Sequence, residues 1–125
     1  MCIRDRSTGY NNIAIGRETL INTKGGYENV AIGYFAGRDN TSGYANTAIG
    51  AYAGTGNTIG LFNTSLGFGA LQENTHGDYN TAIGHYALYN NNPADGTGEN
   101  TAIGSTAGYT TVSYTHLTLP TILLV

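Results

Sequence analysis

A tandem repeat constrains the fold of this chain more than any other feature. The tripeptide Ala-Ile-Gly, or Ser-Leu-Gly in one copy, occurs six times at successive spacings of 17, 17, 17, 17 and 20 residues. The full unit reads approximately Gly-Tyr-x-Asn-Thr-Ala-Ile-Gly-x-x-Ala-Gly/Leu-x-x-Asn-Thr-x. The recurring residues are Asn12, Asn29, Asn46, Asn63, Asn80 and Asn100, then Ile15, Ile32, Ile49, Leu66, Ile83 and Ile103, then Gly16, Gly33, Gly50, Gly67, Gly84 and Gly104. Such periodicity predicts one supersecondary unit per repeat, stacked on its neighbours.

The repeat unit has the character of strands and turns. Seventeen residues are too few for a two-helix unit, and a helix disfavours the abundant Gly and β-branched residues. The "NTAIG" core alternates in strand fashion, and Gly closes it. The sequence therefore predicts an all-β protein, a β-solenoid or parallel β-roll of six coils of about 17 residues. The longer spacing reflects a three-residue insertion near "NNNPADGT", where Pro93 and Gly96 indicate a surface turn.

Stacking at about 4.8 Å per coil places like residues on one another, over about 29 Å for six coils. Asn residues can then bond to one another along the stack, and we interpret this Asn ladder as structural. We expect Ile32, Ile49, Leu66 and Ile83 to form one buried column, since they hold the large aliphatic position of each repeat. The alternative is that Ala lines a narrow coil interior.

The two ends of the chain differ in composition from the repeats. Residues 1–5 can be encoded as ATG TGT ATA AGA GAC, and the reverse complement of that DNA encodes Val-Ser-Tyr-Thr-His, which is residues 112–116. Both ends also resemble the translated ends of a transposase adapter used in sequencing libraries. We therefore predict translated adapter at 1–6 and 111–125, and a β-roll repeat domain at 7–110. Cys2 and Met1 then say nothing about redox compartment or a signal peptide.

Charge limits the classes of partner. Residues 7–110 carry three basic residues (Arg17, Lys24 and Arg38) and seven acidic ones, a net charge of −4. A nucleic-acid surface would need a basic stripe, so we expect no nucleic-acid partner. The apolar run at 122–125 is too short to cross a bilayer, and we expect no membrane segment in this fragment.

Residues that could support catalysis are sparse. His76 and His85 are the histidines of the repeat region, they fall at variable positions, and no Cys accompanies them. Acidic residues are scattered over different columns, so we expect a non-enzymatic protein without metal or cofactor. A polysaccharide-acting β-solenoid enzyme is the weaker alternative, and stacking of Asp78 with Glu99 would be its route to paired carboxylates.

Two sets of side chains could form surfaces. Thr47, Thr64, Thr81 and Thr101 form a column that would suit an ice-binding solenoid, although Ile13 and Val30 interrupt it. The aromatic columns are Tyr10, Tyr27 and Tyr44, and Phe35, Tyr52 and Tyr86. We expect these rings to point inward and fill corners of the coil; exposed rings could instead stack on sugars or apolar partners.

The stretches "GYNNIAIG", "GYANTAIG" and "GDYNTAIG" resemble the head repeats of trimeric autotransporter adhesins, which are parallel β-rolls, and the "NTAIG" repeats of bacterial surface and phage tail-fibre-like proteins. The resemblance covers residues 7–110. It implies an extracellular, cell-surface or virion location and a structural segment that spaces or displays a binding surface for a host glycan or protein. The 17-residue period departs from the shorter adhesin repeat.

The resemblance also implies a homotrimer. Ordering one coil costs about 25 kcal/mol at roughly 1.5 kcal/mol per residue, so the margin for a single chain is thin. Small residues such as Ala31 and Gly33, or Ala48 and Gly50, share one strand face and would let another backbone approach closely. We expect a parallel homotrimer with this Ala and Gly face toward the partner chains.

Overall fold

The fold of this chain is a β-solenoid of about five turns with no helix among the described residues. The structure is a computed structural model and describes residues 9–92 and 98–111. Six three-residue strands form one sheet in the order β1-β2-β3-β4-β5-β7, and every pair is parallel. They are β1 (Ile13–Ile15), β2 (Val30–Ile32), β3 (Thr47–Ile49), β4 (Thr64–Leu66), β5 (Thr81–Ile83) and β7 (Thr101–Ile103). Strands β6 (Asn90–Asn91) and β8 (Thr110–Thr111) form a second parallel pair. The predicted all-β solenoid class is confirmed.

The register of the large sheet follows the sequence repeat. Ala14 pairs with Ala31, Ala31 with Ala48, and Ala82 with Ala102, so each coil lies directly above the equivalent residues of the one before. Main-chain hydrogen bonds also join successive coils away from this sheet, as from Gly37 N–H to Ala53 O at 2.9 Å. Hydrogen bonds between neighbouring coils therefore hold the stack together around the coil.

Glycine after each strand is required by close coil stacking. Gly33 has a φ of +134°, and a Cβ built there would lie 2.6 Å from the carbonyl oxygen of Gly50 in the next coil. Any side chain would meet both the backbone strain and this contact. The Ala-Ile-Gly tripeptide thus ends in Gly because the next turn of the same chain approaches there.

Left-handed backbone closes the corners of the coil. Leu20, Leu71 and Leu88 adopt φ values of 49°, 52° and 46°, in the column that Gly37 and Gly54 hold in other coils. Leucine rarely adopts this conformation, and the cost of each strained residue is of order 1–3 kcal/mol. Burial of the three leucine side chains to 8% exposure or less offsets that strain.

The interior of the solenoid is lined by alanine, so the expected buried column of Ile32, Ile49, Leu66 and Ile83 is wrong. The central residue of each three-residue strand points inward; Ala31 is 1% exposed and Ala82 is 0% exposed. Leu66, by contrast, is 42% exposed. The interior is narrow because each coil folds back within 17 residues, and it accepts the smaller side chain. A second column completes the interior: Thr19, Ala36, Ala53, Ala70, Ala87 and Ala107.

The expected contact of the Ala and Gly face with partner chains is also wrong. Ala31 packs inside its own coil with Leu20 and Ala36, in one of two buried apolar clusters. The small residues of this face leave room for the other side of the coil and for the neighbouring coil of the same chain. This strand face is therefore not open to a partner chain.

The predicted adapter segment 1–6 and residues 112–125 lie outside the described residues, as does most of the insertion. Thr111, the first residue of the predicted C-terminal adapter segment, is described and pairs with Asn91 in the second sheet.

Candidate functional site

The buried polar residues form a ladder of asparagine side chains along the solenoid. Asn46 Oδ1 accepts from the Asn63 main-chain N–H at 2.9 Å, and Asn63 Oδ1 accepts from that of Asn80 at 2.9 Å. The Asn63 side chain also acts as a donor to that following coil, because its Nδ2 donates to the Gly77 carbonyl at 2.8 Å. The same pair of bonds recurs in four coils, so one donor and one acceptor of the next coil are satisfied by each of Asn12, Asn29, Asn46 and Asn63. The residues of this inner ladder are Asn12, Asn29, Asn46, Asn63, Asn80 and Asn100.

A second buried asparagine column lies beside the inner ladder, at the turn whose Gly carbonyls both columns bind. Asn40, Asn57 and Asn74 each donate from Nδ2 to the carbonyl of the Gly three residues later, at 2.9–3.1 Å. Asn91 continues the column, and its Nδ2 donates to Asn74 Oδ1 at 3.4 Å. The second Asn of the sequence repeat signals these turns, but its burial does not follow from the pattern alone. Both columns are engaged in holding coils together.

The solenoid interior offers little room for a ligand. A cavity of about 20 Å³ lies where Gly37 and Gly54 replace leucine, between the side chains of Leu20 and Leu71. Its volume suits about one water molecule. Surfaces large enough for a bigger ligand therefore lie on the outside of the coils.

The outer face of the large sheet is the first such surface. The first and third residues of every strand point outward in register, and we call these twelve residues the outer sheet face. It comprises Ile13, Val30, Thr47, Thr64, Thr81 and Thr101, with Ile15, Ile32, Ile49, Leu66, Ile83 and Ile103. Ile13, Ile15, Leu66 and Ile103 are 51%, 38%, 42% and 49% exposed. The Ile and Leu column of this face is thus an apolar, partly exposed strip, a feature that large interaction surfaces also have.

Aromatic residues form two further surfaces, and the expectation that their rings fill the coil interior is wrong. No aromatic side chain of the described part of the chain is buried. The first surface is a stack in which Tyr27 lies between Tyr10 and Tyr44, with centroids 4.9 and 4.6 Å apart and ring planes within 5°. Desolvation raises the pKa of Tyr27, and the nearby phenol of Tyr44 adds to the effect. Face-to-face stacking covers both faces of the central ring.

The second aromatic surface is a continuous ridge over five coils, which we call the aromatic ridge. Its members are Tyr34, Phe35, Tyr52, Phe68, His85, Tyr86, Tyr89 and Tyr109. Phe68 lies at its centre, 5.6 Å from Tyr52 and 5.4 Å from Tyr86, with interplanar angles of 64° and 84°. Most of these contacts are edge-to-face, in contrast to the tyrosine stack.

Charged groups lie at one end of the aromatic ridge and are paired. Arg38 donates to both carboxylate oxygens of Asp39, at 3.0 and 2.8 Å, and its guanidinium lies 4.7 Å from the centroid of Phe35. Arg17 lies 3.4 Å from Glu18 and 5.8 Å from the Tyr34 ring. The hydrogen bond from Arg38 holds the pKa of the Asp39 carboxyl below its ordinary value.

The residues considered for catalysis occupy separate places. His76 lies in an exposed turn with Nδ1 2.8 Å from Thr75 Oγ1, whereas His85 belongs to the aromatic ridge. Asp78 and Glu99 lie in adjacent coils, where Glu99 N–H donates to Asp78 O at 2.9 Å. The Asp78 carboxylate accepts from Leu61 N–H at 2.8 Å. Within residues 9–92 and 98–111, no group of three or more His, Cys, Asp or Glu residues is arranged to hold a metal.

The part of the chain that the structure describes contains no helix long and apolar enough to cross a membrane. Comparisons with models of known protein families, with curated proteins and with solved structures returned no match.

Proposed function

We propose that this chain is a non-enzymatic structural repeat segment of a bacterial surface adhesin or phage tail-fibre-like protein, located outside the cell or on a virion. The observation that supports this best is the division of each coil into interior and outward positions. Interior columns repeat the same small or amide side chains, whereas outward positions in the turns, such as Arg17, Tyr34 and Phe68, vary between coils. Such a rod holds outward side chains at a fixed spacing of about 4.8 Å per coil. Its role is to space or display a binding surface for a host glycan or protein.

The segment works as a parallel homotrimer, with the outer sheet face of each chain turned toward its partners. Support comes from the exposure of Ile15, Leu66 and Ile103, which leaves an apolar strip along the solenoid. Covering this strip with copies of itself would bury it at every coil level, because parallel chains present equivalent residues at equal heights.

Sedimentation equilibrium of the full chain at micromolar concentration tests the trimer. We expect three chains per particle for the natural sequence and single chains for Leu66→Lys, because the substitution places charge in the apolar contact. Ile59→Lys is the matched control: Ile59 is 44% exposed but lies in a turn away from the sheet, so this variant should stay trimeric. A natural chain that sediments as a well-folded monomer would contradict the proposal.

Ice binding is a second candidate, favoured by the outward position of Thr47, Thr64, Thr81 and Thr101 on a parallel sheet in register. Regular hydroxyl and methyl groups on a stiff face are the feature that such a function needs. A thermal-hysteresis assay decides between the candidates. Thermal hysteresis in a solution of the natural chain that is absent with Thr64→Leu would favour ice binding over the structural segment.

A further inference from the structure

The aromatic ridge differs from the tyrosine stack in how its rings are presented. In the stack, Tyr27 lies parallel to neighbours on both sides, so little but its edge and hydroxyl reaches solvent. In the ridge, Phe68 stacks on one ring, His85, with centroids 5.7 Å apart and ring planes 24° apart; it meets Tyr52 and Tyr86 at steep angles and remains 42% exposed. A ring in an edge-to-face arrangement can offer a face to a ligand.

The two ends of the aromatic ridge differ in how far their rings are free to contact a ligand. At the N-terminal end, Phe35 lies between the Tyr34 ring, 4.1 Å away, and the Arg38 guanidinium, 4.7 Å away. These rings already have partners. From Tyr52 to Tyr109 no Arg or Lys lies over a ring among the described residues. Tyr89 and Tyr109 stack on one another with centroids 4.9 Å apart, and Tyr109 is still 45% exposed.

Spacing and charge indicate the chemistry of the ligand. Successive coils rise by about 4.8 Å, which is close to the advance of one sugar in an extended β-1,4-linked glycan. The C–H groups of a pyranose carry partial positive charge and suit the negative face of an aromatic ring. The basic side chains near the ridge, Arg17 and Arg38, are paired with acids. Desolvation raises the pKa of Tyr89, and the nearby Glu73 carboxylate adds to the effect. The surface therefore favours an uncharged glycan over an acidic one.

We propose that the aromatic ridge from Tyr52 to Tyr109 binds a neutral β-1,4-linked polysaccharide, with Phe68 as its central stacking platform. The glycan lies along the solenoid axis. The four coils that contain β3, β4, β5 and β7 present rings to successive sugars over about 14 Å. The inference rests on the proposed function as a displayed surface, and it names the ligand class and the site.

Isothermal titration of the full chain with the β-1,4-linked hexamers of glucose and of N-acetylglucosamine tests the inference. We expect binding of at least one hexamer. Phe68→Leu should weaken it by about two- to thirteenfold, which corresponds to the roughly 0.5–1.5 kcal/mol of one aromatic contact. Phe68→Tyr keeps the ring and should bind within about twofold of the natural chain. Tyr44→Leu removes a ring from the tyrosine stack instead and should leave affinity unchanged.

Far-ultraviolet circular dichroism and sedimentation on the same samples separate this inference from the proposed function. A folded trimer that binds neither hexamer, or that binds equally well as Phe68→Leu, would overturn the aromatic ridge as a glycan site and leave the structural role intact. Preference for a sulfated hexamer over the neutral ones would also overturn it. A chain that binds the hexamer as a monomer would support the ridge and contradict the trimer.

Discussion

Replacing Asn63 by Ala removes the centre of the inner ladder. The Asn63 side chain accepts from the main-chain N–H and from Nδ2 of Asn80, at 2.9 and 3.0 Å, and donates to the Gly77 carbonyl at 2.8 Å. Asn63 is 4% exposed and Asn80 is 0% exposed, so water has poor access to the groups left behind. A buried donor or acceptor without a partner costs about 1–3 kcal/mol. The Gly77 carbonyl keeps its hydrogen bond from Asn74 Nδ2, so the main-chain group that loses its partner is the Asn80 N–H, and the predicted loss is about 1–3 kcal/mol.

Urea unfolding of the full chain, followed by far-ultraviolet circular dichroism, measures this loss. A change of this size is a large fraction of the 5–15 kcal/mol that stabilises a typical domain, so the midpoint should fall sharply. Asn22→Ala is the matched control, because Asn22 is exposed and makes one surface hydrogen bond, to Asp39 Oδ1 at 2.8 Å. We expect that control to stay within about 0.5 kcal/mol of the natural chain. A loss below about 1 kcal/mol for Asn63→Ala would refute the assignment of coil-to-coil cohesion to this ladder.

Three further predictions test the interior, the surface charges and the ends. At concentrations that keep the chain monomeric, Ala82→Ile should destabilise the fold by about 1–3 kcal/mol or more through overpacking. Ile49→Ala should destabilise it by less than about 1 kcal/mol. Urea titrations that give the reverse order would show that the aliphatic side chains line the interior. Because Arg38 lowers the folded-state pKa of Asp39, their interaction stabilises the fold above pH about 4 and is lost as pH falls through the lowered pKa. Asp39→Asn should therefore reduce the acid loss of stability between pH about 5 and 2 by a small amount, since the pair is partly exposed; an unchanged pH profile of the midpoint would argue against it. Deleting 1–6 and 112–125 should leave the melting temperature nearly unchanged, and failure of the shortened chain to fold would show that these ends belong to the protein.

The repeat alone determined the fold class, the parallel pairing and the partners in the inner ladder. A 17-residue period places Asn46 beneath Asn63 and Ala31 beneath Ala48 whatever the shape of the coil, because stacked coils of equal length must align equivalent residues. The period also marks the Gly positions, since only a residue without a Cβ tolerates the approach of Gly50 O to Gly33. These features depend on spacing, which is visible in the sequence.

Tertiary structure decided which strand face is inside. Strand alternation separates Ala31 from Ile32, but both faces are apolar, so hydrophobic pattern alone does not choose between them. The choice follows from the width of the coil, which is set by left-handed corners such as Leu20 and leaves space for a methyl group at Ala31. The orientation of the rings depends on the same closure, since it places Phe68 outside the coil and at a steep angle to its neighbours. A one-dimensional pattern lacks this information because the width of the interior arises only when the coil closes.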